Sequence, residues 1–222
     1  MALQVEDKIF LIDCGPDFRS QAIAQDIRHV DALLLTHTHF DHIAGIDDLR
    51  IFCLRSQEAM PCYLSEKSQE ELQKKYYYLF EKDDESVVRL NYNVLKNPRG
   101  SFKALGVSFR YFTYYQSSMK VTGYRIGNFA YVTDIKEYEG ALFDDLIGID
   151  YLVLSMQRKE GSYAHLSLRD IIDIQEKVRP QYCYITHMGH EIDYYDLKEY
   201  LPIGIAPAFD GLSFWINLEN KI

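Results

Sequence analysis

Three histidines and one aspartate stand within six consecutive residues of this chain, at His37, His39, Asp41 and His42. Imidazole nitrogens and carboxylate oxygens are the usual protein ligands of zinc and related divalent ions. His37 and His39 are two residues apart, so in extended chain they point to the same side, whereas Asp41 and His42 follow after a turn. Surface polar residues of a loop are the plainer interpretation. Because the chain has only seven histidines, the spacing favours a site for one or two metal ions.

Apolar runs place these and other candidate ligands at the ends of predicted strands. Residues 30–35 form an apolar run that ends where the ligands begin, as expected for a buried strand. Asp134 follows the predicted strand 129–132, and His187 follows the predicted strand 182–185. Strand ends of an α/β sheet present functional groups, so Asp134 is a candidate for a carboxylate that bridges two metals. An N-cap role for Asp134 is the alternative, and the two roles are compatible.

His165 is a further candidate because it lies in a predicted loop between the strand 150–155 and a helix. Ser167 can cap that helix, in which apolar residues recur at helical spacing. Reactive side chains are concentrated on loops that a rigid scaffold positions, so we expect His165 to be presented for chemistry.

Length and charge limit the class of protein. The chain has 222 residues, 47% of them hydrophobic, and no linker or low-complexity tract, so we expect one domain over residues 1–222. The net charge of -9 disfavours a large nucleic-acid interface, which would need a basic face. A small anionic substrate attracted by metal charge is compatible with this composition.

Cysteine usage and hydropathy indicate the compartment. The four cysteines are Cys14, Cys53, Cys62 and Cys183, with no Cys-x-x-Cys pair. This scatter favours reduced thiols over a disulfide framework. No signal peptide is recognisable, and no apolar run approaches the ~20 residues of a membrane-spanning helix. We therefore expect a cytoplasmic protein with no membrane partner.

Predicted strands and helices alternate around the ligand stretch. Residues 1–5 and 8–13 predict two short strands, and residues 42–54 and 66–80 predict two helices. Residues 81–103 are polar and contain the turn signal Asn-Pro-Arg-Gly. The alternation is typical of an α/β sandwich.

Two groups near the ligand stretch have alternative interpretations. Asp47 and Asp48 are either partners of the ligand histidines or a solvated acidic helix face. Tyr76, Tyr77 and Tyr78 either line a substrate entrance or belong to a core or partner surface.

The order of the sequence elements resembles that of the metallo-β-lactamase superfamily of hydrolases. These elements are residues 11–15, 37–42, 123–125 with 133–134, 164–167, 186–190 and 209–211. Within the superfamily, the order and spacing are similar to those of the branch that contains the cyclic phosphodiesterase of the carbon-phosphorus lyase pathway. The similarity runs over nearly the whole chain. It implies a four-layer αβ/βα sandwich that acts as a metal-dependent hydrolase.

The resemblance also implies a role for each candidate residue. The implied ligands are His37 and His39 for one metal, Asp41, His42 and His187 for a second, and Asp134 for both. His165 matches the histidine that serves near the leaving group as general acid, so His165 and Asp41 are the catalytic candidates. Two divalent ions can generate hydroxide by lowering the pKa of water to ~7, and they can clamp a phosphoryl oxygen.

One position departs from the pattern of that branch. Its members have a further histidine of the first metal seven residues before the glycine that matches Gly123, where this chain has Gln116. A neutral amide oxygen is a poor ligand for zinc and is better accepted by a harder ion such as manganese. We expect one or two divalent ions, Zn or Mn, with a weakened first site. Gln116 would be a weak metal ligand or a substrate contact.

The beginning of the chain departs from the pattern as well. Members of the branch begin with a strand and a Cys-rich loop whose thiolates join the histidine matching His190 around a structural zinc. This chain starts after that segment. Either His190 is a former structural zinc ligand or the sequence is a shortened form. Without the usual first strand a sheet edge is exposed, which favours a homodimer.

These expectations favour a metal-dependent phosphodiesterase. Its substrate would be a small anionic phosphodiester, either linear or cyclic. A metal-bound hydroxide would attack phosphorus. A metallo-nuclease of the tRNA-processing type is one alternative, although the acidic charge makes nucleic acid an unfavourable partner. The other is a non-catalytic descendant that keeps the fold as a binding or structural module, and its support is Gln116 together with the absent front segment.

Overall fold

Two β-sheets organise the chain in the computed structural model, which describes residues 1–80 and 87–218. These residues divide into two compact units. The first comprises Met1–Pro98 and Lys103–Val107, and the second comprises Arg99–Phe102 and Ser108–Ile222. The α/β fold class is confirmed, whereas one domain over residues 1–222 stays a prediction.

The first sheet has five strands in the order β1-β2-β3-β4-β5. The strands are β1 Ala2–Val5, β2 Lys8–Ile12, β3 Ala32–Leu34, β4 Met60–Ser65 and β5 Leu90–Leu95. β1 and β2 are antiparallel, and the following neighbours are parallel. β1 forms one edge of this sheet, where another strand could add. The homodimer itself stays a prediction.

The helices of the first unit are shorter than the apolar periodicity predicts. They are α1 Phe18–Ala24, α2 Phe40–Ile43, a 3₁₀ helix Ile46–Leu49, α3 Arg50–Ser56, α4 Glu66–Lys75 and a 3₁₀ helix Tyr77–Phe80. The predicted helix 42–54 is interrupted at Gly45, whose amide donates to the Cys14 carbonyl at 2.9 Å. The predicted helix 66–80 is interrupted at Tyr76, which has φ -130° and ψ 54°.

The second sheet has seven strands in the order β12-β11-β10-β9-β8-β7-β6. The strands are β6 Arg99–Ala104, β7 Val107–Gln116, β8 Met119–Ile126, β9 Phe129–Val132, β10 Tyr151–Ser155, β11 Tyr182–Thr186 and β12 Ile205–Pro207. β9 to β12 are parallel to one another. Leu154 lies opposite both Val132 and Ile185, so the carboxyl ends of β9, β10 and β11 meet at one edge of the sheet.

β5 and β6 occupy part of the segment that the sequence predicts to be polar with one turn. Bends at Asn97 and Pro98 separate the two strands, whereas Arg99 and Gly100 of the predicted turn already belong to β6. β5 is the edge strand of its sheet, where polar residues and solvent contact are tolerated. Residues 81–86 of the predicted polar segment lie outside the described residues.

The second unit contains the helices α5 Ala141–Asp145, α6 Leu168–Val178 and α7 Tyr194–Tyr200. The Ser167 hydroxyl accepts from the Asp170 amide, and the Asp170 carboxylate accepts from the Ser167 amide. This reciprocal cap confirms the predicted start of α6. The helix buries Ile171 and Ile174 in the apolar core of its unit.

Among residues 1–80 and 87–218, there is no helix with the length and apolar character needed to cross a membrane.

Candidate metal centre

The predicted ligand stretch follows β3 and enters α2, in the first unit. His37 is only 1% exposed. Its ring centroid lies 4.8 Å from that of His39 and 4.1 Å from that of His42. A carboxylate oxygen of Asp41 lies 3.4 Å from His42 Nε2. The short turn at α2 therefore brings the four predicted ligands of this stretch together.

Asp13 supports this cluster, although the sequence alone predicts no role for its carboxylate. It follows β2 in the left-handed conformation with φ 59°, which aspartate adopts more readily than most residues. Its carboxylate accepts from the Thr36 amide at 2.8 Å, the Thr36 hydroxyl at 2.7 Å and His42 Nδ1 at 2.7 Å. Because Ile12 pairs with Leu34 across β2 and β3, the two strand ends place Asp13 beside Thr36.

These hydrogen bonds determine which ring nitrogen of each histidine carries the proton. A carboxylate only accepts, so His42 Nδ1 donates to Asp13. The Thr36 hydroxyl gives its one hydrogen to Asp13, and therefore His37 Nδ1, 2.9 Å away, donates to the hydroxyl oxygen. In the neutral rings, Nε2 is therefore the deprotonated nitrogen, the form that binds a divalent ion.

Two glycines allow the chain after β2 to approach the ligand stretch closely. A Cβ atom on Gly15 would lie 2.4 Å from the Asp41 carbonyl oxygen, and one on Gly45 would lie 2.2 Å from the Gly15 carbonyl oxygen. The Cys14 amide donates to the His42 carbonyl at 2.8 Å. Any larger residue at either glycine would push these backbones apart.

Asp134 is the centre of the ligand set in the second unit. It is 1% exposed and left-handed, with φ 53°, just beyond β9. Its amide donates to the Ser155 hydroxyl at 2.6 Å, and the Thr133 hydroxyl donates to Oδ2 at 3.1 Å. Its Oδ1 lies 3.4 Å from His165 Nδ1 and 3.4 Å from His187 Nε2.

Asp134, His165 and His187 each offer a ligand atom, and these atoms lie within 4.8 Å of one another. Two imidazoles and a carboxylate at this spacing fit a divalent ion. His187 is left-handed too, with φ 60°, directly after β11. Asp13, Asp134 and His187 therefore share an uncommon backbone conformation at a strand end. Such conformations cost about 1–3 kcal/mol and are concentrated at functional sites.

Local hydrogen bonds hold the loop that carries His165. The Ser162 hydroxyl accepts from the Ala164 amide at 3.2 Å and from the His165 amide at 3.1 Å. Lys136 Nζ donates to the His165 carbonyl at 3.2 Å. The imidazole is buried and stacks on His187 with a centroid distance of 5.4 Å. The loop thus presents the His165 ring at the Asp134 carboxylate.

Gln116 ends β7 and is 6% exposed. Its Nε2 donates to Asp134 Oδ1 at 3.2 Å and also lies 3.2 Å from His165 Nε2. Because the carboxylate must face the NH₂ group, the amide orientation is determined. Oε1 is then buried with no hydrogen-bond partner among residues 1–80 and 87–218. A buried acceptor without a donor costs about 1–3 kcal/mol, so a cation or a substrate donor would stabilise this atom.

His190 is a member of neither ligand set in the described part of the chain. It is exposed and lines a small surface cavity with Gln157, Arg158, Gly189 and Glu191. None of the potential ligand groups found in the described part of the chain includes it. Its former structural zinc role stays a prediction.

The acidic pair at Asp47 and Asp48 is exposed. Asp47 accepts a hydrogen bond from the Tyr78 hydroxyl at 2.6 Å. Burial and this hydrogen bond raise the pKa of the Tyr78 phenol. Asp47 thus contacts Tyr78, and the carboxylate that orients His42 is Asp13. The signal that could have identified Asp13 is its place at the end of a buried strand, as for Asp134.

Residues 8–188 match the family described as the beta-lactamase superfamily domain. A diphosphatase from the PhnP family has a solved structure that is 30% identical in sequence, with a TM-score of 0.89. That alignment covers 99% of this chain and 85% of the diphosphatase chain. The metallo-beta-lactamase fold protein YhfI from Bacillus subtilis is 19% identical with a TM-score of 0.77, covering 95% of this chain and 88% of YhfI, which shows likeness of fold.

A curated relative, an octanoyltransferase of Porphyromonas gingivalis (strain ATCC BAA-308 / W83), is 28% identical over 212 residues. The alignment covers 95% of this chain and 43% of that relative, so the chain spans less than half of its length. The transferase name belongs to the longer protein as a whole.

Proposed function

The chain belongs to the β-lactamase superfamily, and we propose that it is a metal-dependent phosphodiesterase acting on a small phosphodiester. The observation that carries the proposal is the set of histidines whose tautomers are fixed for metal binding by Asp13 and Thr36. The acidic net charge of -9 supports a small substrate over a nucleic acid. The diphosphatase relative supports chemistry at phosphorus.

The proposed ligand assignment follows the family resemblance and the chemistry of the side chains. The first ion would be held by His37 and His39, the second by Asp41, His42 and His187, and both by Asp134. Divalent ions at these positions would supply Lewis-acid chemistry, lowering the pKa of water to ~7 and neutralising a phosphoryl oxygen.

The protein residues would orient the ligands and move protons. Asp13 and Thr36 hold the imidazoles of His42 and His37 in the metal-binding tautomer. The Gln116 NH₂ group faces His165 Nε2, so the neutral ring carries its proton on Nδ1. We assign to the imidazolium form of His165 the donation of a proton to the departing alkoxide, which returns the ring to this neutral tautomer. Asp41 would accept the proton that the attacking water loses.

Metal identity is expected to depend on Gln116. Its amide oxygen, which has no hydrogen-bond partner in the part of the chain that the structure describes, is a hard donor, which manganese accepts more readily than zinc does. We therefore propose that manganese supports turnover at least as well as zinc, with the first ion bound more weakly than the second. Elemental analysis after loading with each metal would give the two stoichiometries.

The test is hydrolysis of bis(p-nitrophenyl) phosphate by protein loaded with manganese or zinc. We expect turnover with the native chain and its loss in Asp134→Ala. Asp47→Asn is the matched control, because Asp47 contacts Tyr78 and has no assigned role. Absence of turnover with both metals, or equal turnover in Asp134→Ala, would contradict the phosphodiesterase proposal.

Gln116 also favours a second candidate, a non-catalytic binding module of the same fold. Replacement of a histidine ligand by an amide weakens one metal site, and a relic could retain only the other. Calorimetric titration of metal-free protein separates the two candidates. A catalytic pair would give two binding events, whereas a relic would give one or none.

The cytoplasmic location stays a prediction from the sequence.

A further inference from the structure

Thr38 connects the ligand stretch to a helix that carries no predicted ligand. It lies between His37 and His39 and is 1% exposed. Its hydroxyl donates to a Glu71 carboxylate oxygen, and its backbone carbonyl accepts from Lys75 Nζ at 2.6 Å. The hydroxyl and the carbonyl of one buried residue are thus held by two side chains of α4.

The spacing on α4 explains how one helix makes both contacts. Glu71 and Lys75 are four residues apart and therefore lie on the same helix face. Lys67, one turn earlier, approaches the other Glu71 carboxylate oxygen at 3.8 Å, so positive and negative charges alternate along this face. The helix is fixed by its Ser65 cap and by Leu72, which is fully buried. Glu71 and Lys75 consequently act from a rigid support.

The position of Thr38 controls the direction of two ligands at once. His39 is extended, with φ -63° and ψ 154°, and side chains alternate in extended chain. In agreement, the rings of His37 and His39 lie together, 4.8 Å between centroids, while the Thr38 hydroxyl reaches α4. Hydrogen bonds with one charged partner are about twice as strong as neutral ones. Two such bonds oppose rotation of the segment.

We propose that Glu71 and Lys75 are positioning residues that preorganise His37 and His39 for metal binding. They would act through Thr38, to which both are hydrogen-bonded. With both contacts in place, the ion does not have to order the segment when it binds. The inference rests on the proposed metal centre, but it does not depend on the identity of the substrate.

The test measures zinc affinity of metal-free protein by competition with a chromogenic chelator. Partners that orient metal ligands typically affect affinity 10–100-fold, and since these residues act one step further away we expect a loss of about 10-fold. That loss should appear in Glu71→Ala and in Lys75→Met. Glu71→Gln keeps an acceptor for Thr38 and should recover most of the affinity. Lys74→Met is the matched control, because position 74 faces about 100° away on the helix.

Two further readouts separate positioning from general destabilisation. Cobalt-loaded protein should show an altered visible absorption spectrum in Glu71→Ala and the native spectrum in Lys74→Met. Urea unfolding of the metal-free proteins reports whether a variant has lost stability, and the affinity comparison uses conditions in which each is folded.

The outcomes are distinct. Native zinc affinity in both Glu71→Ala and Lys75→Met would overturn the inference. An equal loss of zinc affinity in Lys74→Met would overturn it as well. Metal binding by the native chain without phosphodiester turnover would refute the proposed substrate class and leave this inference standing. If the native chain binds no metal, both are wrong.

Discussion

Asp13→Asn is the substitution that tests most directly how the first ligand set works. Asparagine has nearly the same shape as aspartate and also tolerates the left-handed conformation, φ 59°, that this position requires. The change therefore leaves the backbone in place. What it alters is the hydrogen-bonding capacity of the group, because one acceptor oxygen becomes an NH₂ donor.

The expected magnitude follows from the three donors that now share the carboxylate. Oδ1 accepts from the Thr36 amide, and Oδ2 accepts from both the Thr36 hydroxyl and His42 Nδ1. An NH₂ group at the Oδ1 position would leave the buried Thr36 amide facing a donor. At the Oδ2 position it would face His42 Nδ1 and shift the ring proton to Nε2. Either arrangement should lower the free energy of unfolding by about 1–3 kcal/mol.

The second arrangement is the one we expect, because the Thr36 hydroxyl can rotate and His42 can change tautomer, whereas the Thr36 amide can only donate. It acts directly on metal affinity, since a protonated Nε2 of His42 cannot bind an ion. Loss of such a partner typically costs 10–100-fold in affinity, equivalent to about 1.4–2.8 kcal/mol. We expect this loss for zinc, measured by chelator competition on metal-free Asp13→Asn. Urea unfolding of the metal-free protein gives the stability change separately.

Asp47→Asn is the control, because Asp47 is an exposed carboxylate that accepts from Tyr78 and contributes no contact to His42. It should bind zinc as the native chain does. Zinc affinity of Asp13→Asn within threefold of the native value would refute the argument that Asp13 fixes the His42 tautomer.

Three further predictions concern packing, thiol reactivity and pH. Gly45→Ala should destabilise the protein by about 1–3 kcal/mol in urea unfolding, since its Cβ would lie 2.2 Å from a carbonyl oxygen. Gly140→Ala should not, because its Cβ would have no described atom within 4 Å. Burial raises the pKa of Cys183 to about 12, so at pH 8 it stays protonated and should react with a disulfide reagent only on unfolding; rapid labelling of the native protein would contradict this. Burial raises the pKa of Asp170, but the hydrogen bonds from Ser167 outweigh it and hold the pKa below its ordinary value. The Asp170 carboxylate therefore stabilises the fold above its unfolded pKa of ~3.9, and this contribution is lost as the pH falls through the folded pKa. The stability difference between native protein and Asp170→Asn should shrink across that window, and a pH-independent difference would be inconsistent with this cap.

The local features of this protein could be predicted from the sequence. The ligand stretch is a short-range pattern, because His37, His39, Asp41 and His42 fall within six residues at a strand end. The cap at Ser167 depends on a residue three positions away. The family resemblance likewise rests on such short motifs in order, and residues 8–188 match the superfamily.

The supports of the site required the tertiary structure. Asp13 and His42 are 29 residues apart, and Thr38 and Glu71 are 33 apart. Neither pair leaves a periodic signal, because each contact depends on which strand ends or helix faces become neighbours. The break at Gly45 has the same origin, since its amide finds a carbonyl outside the helix. Sequence alone therefore identified the ligand types and their spacing, whereas strand register and helix packing decided which protons and directions those ligands have.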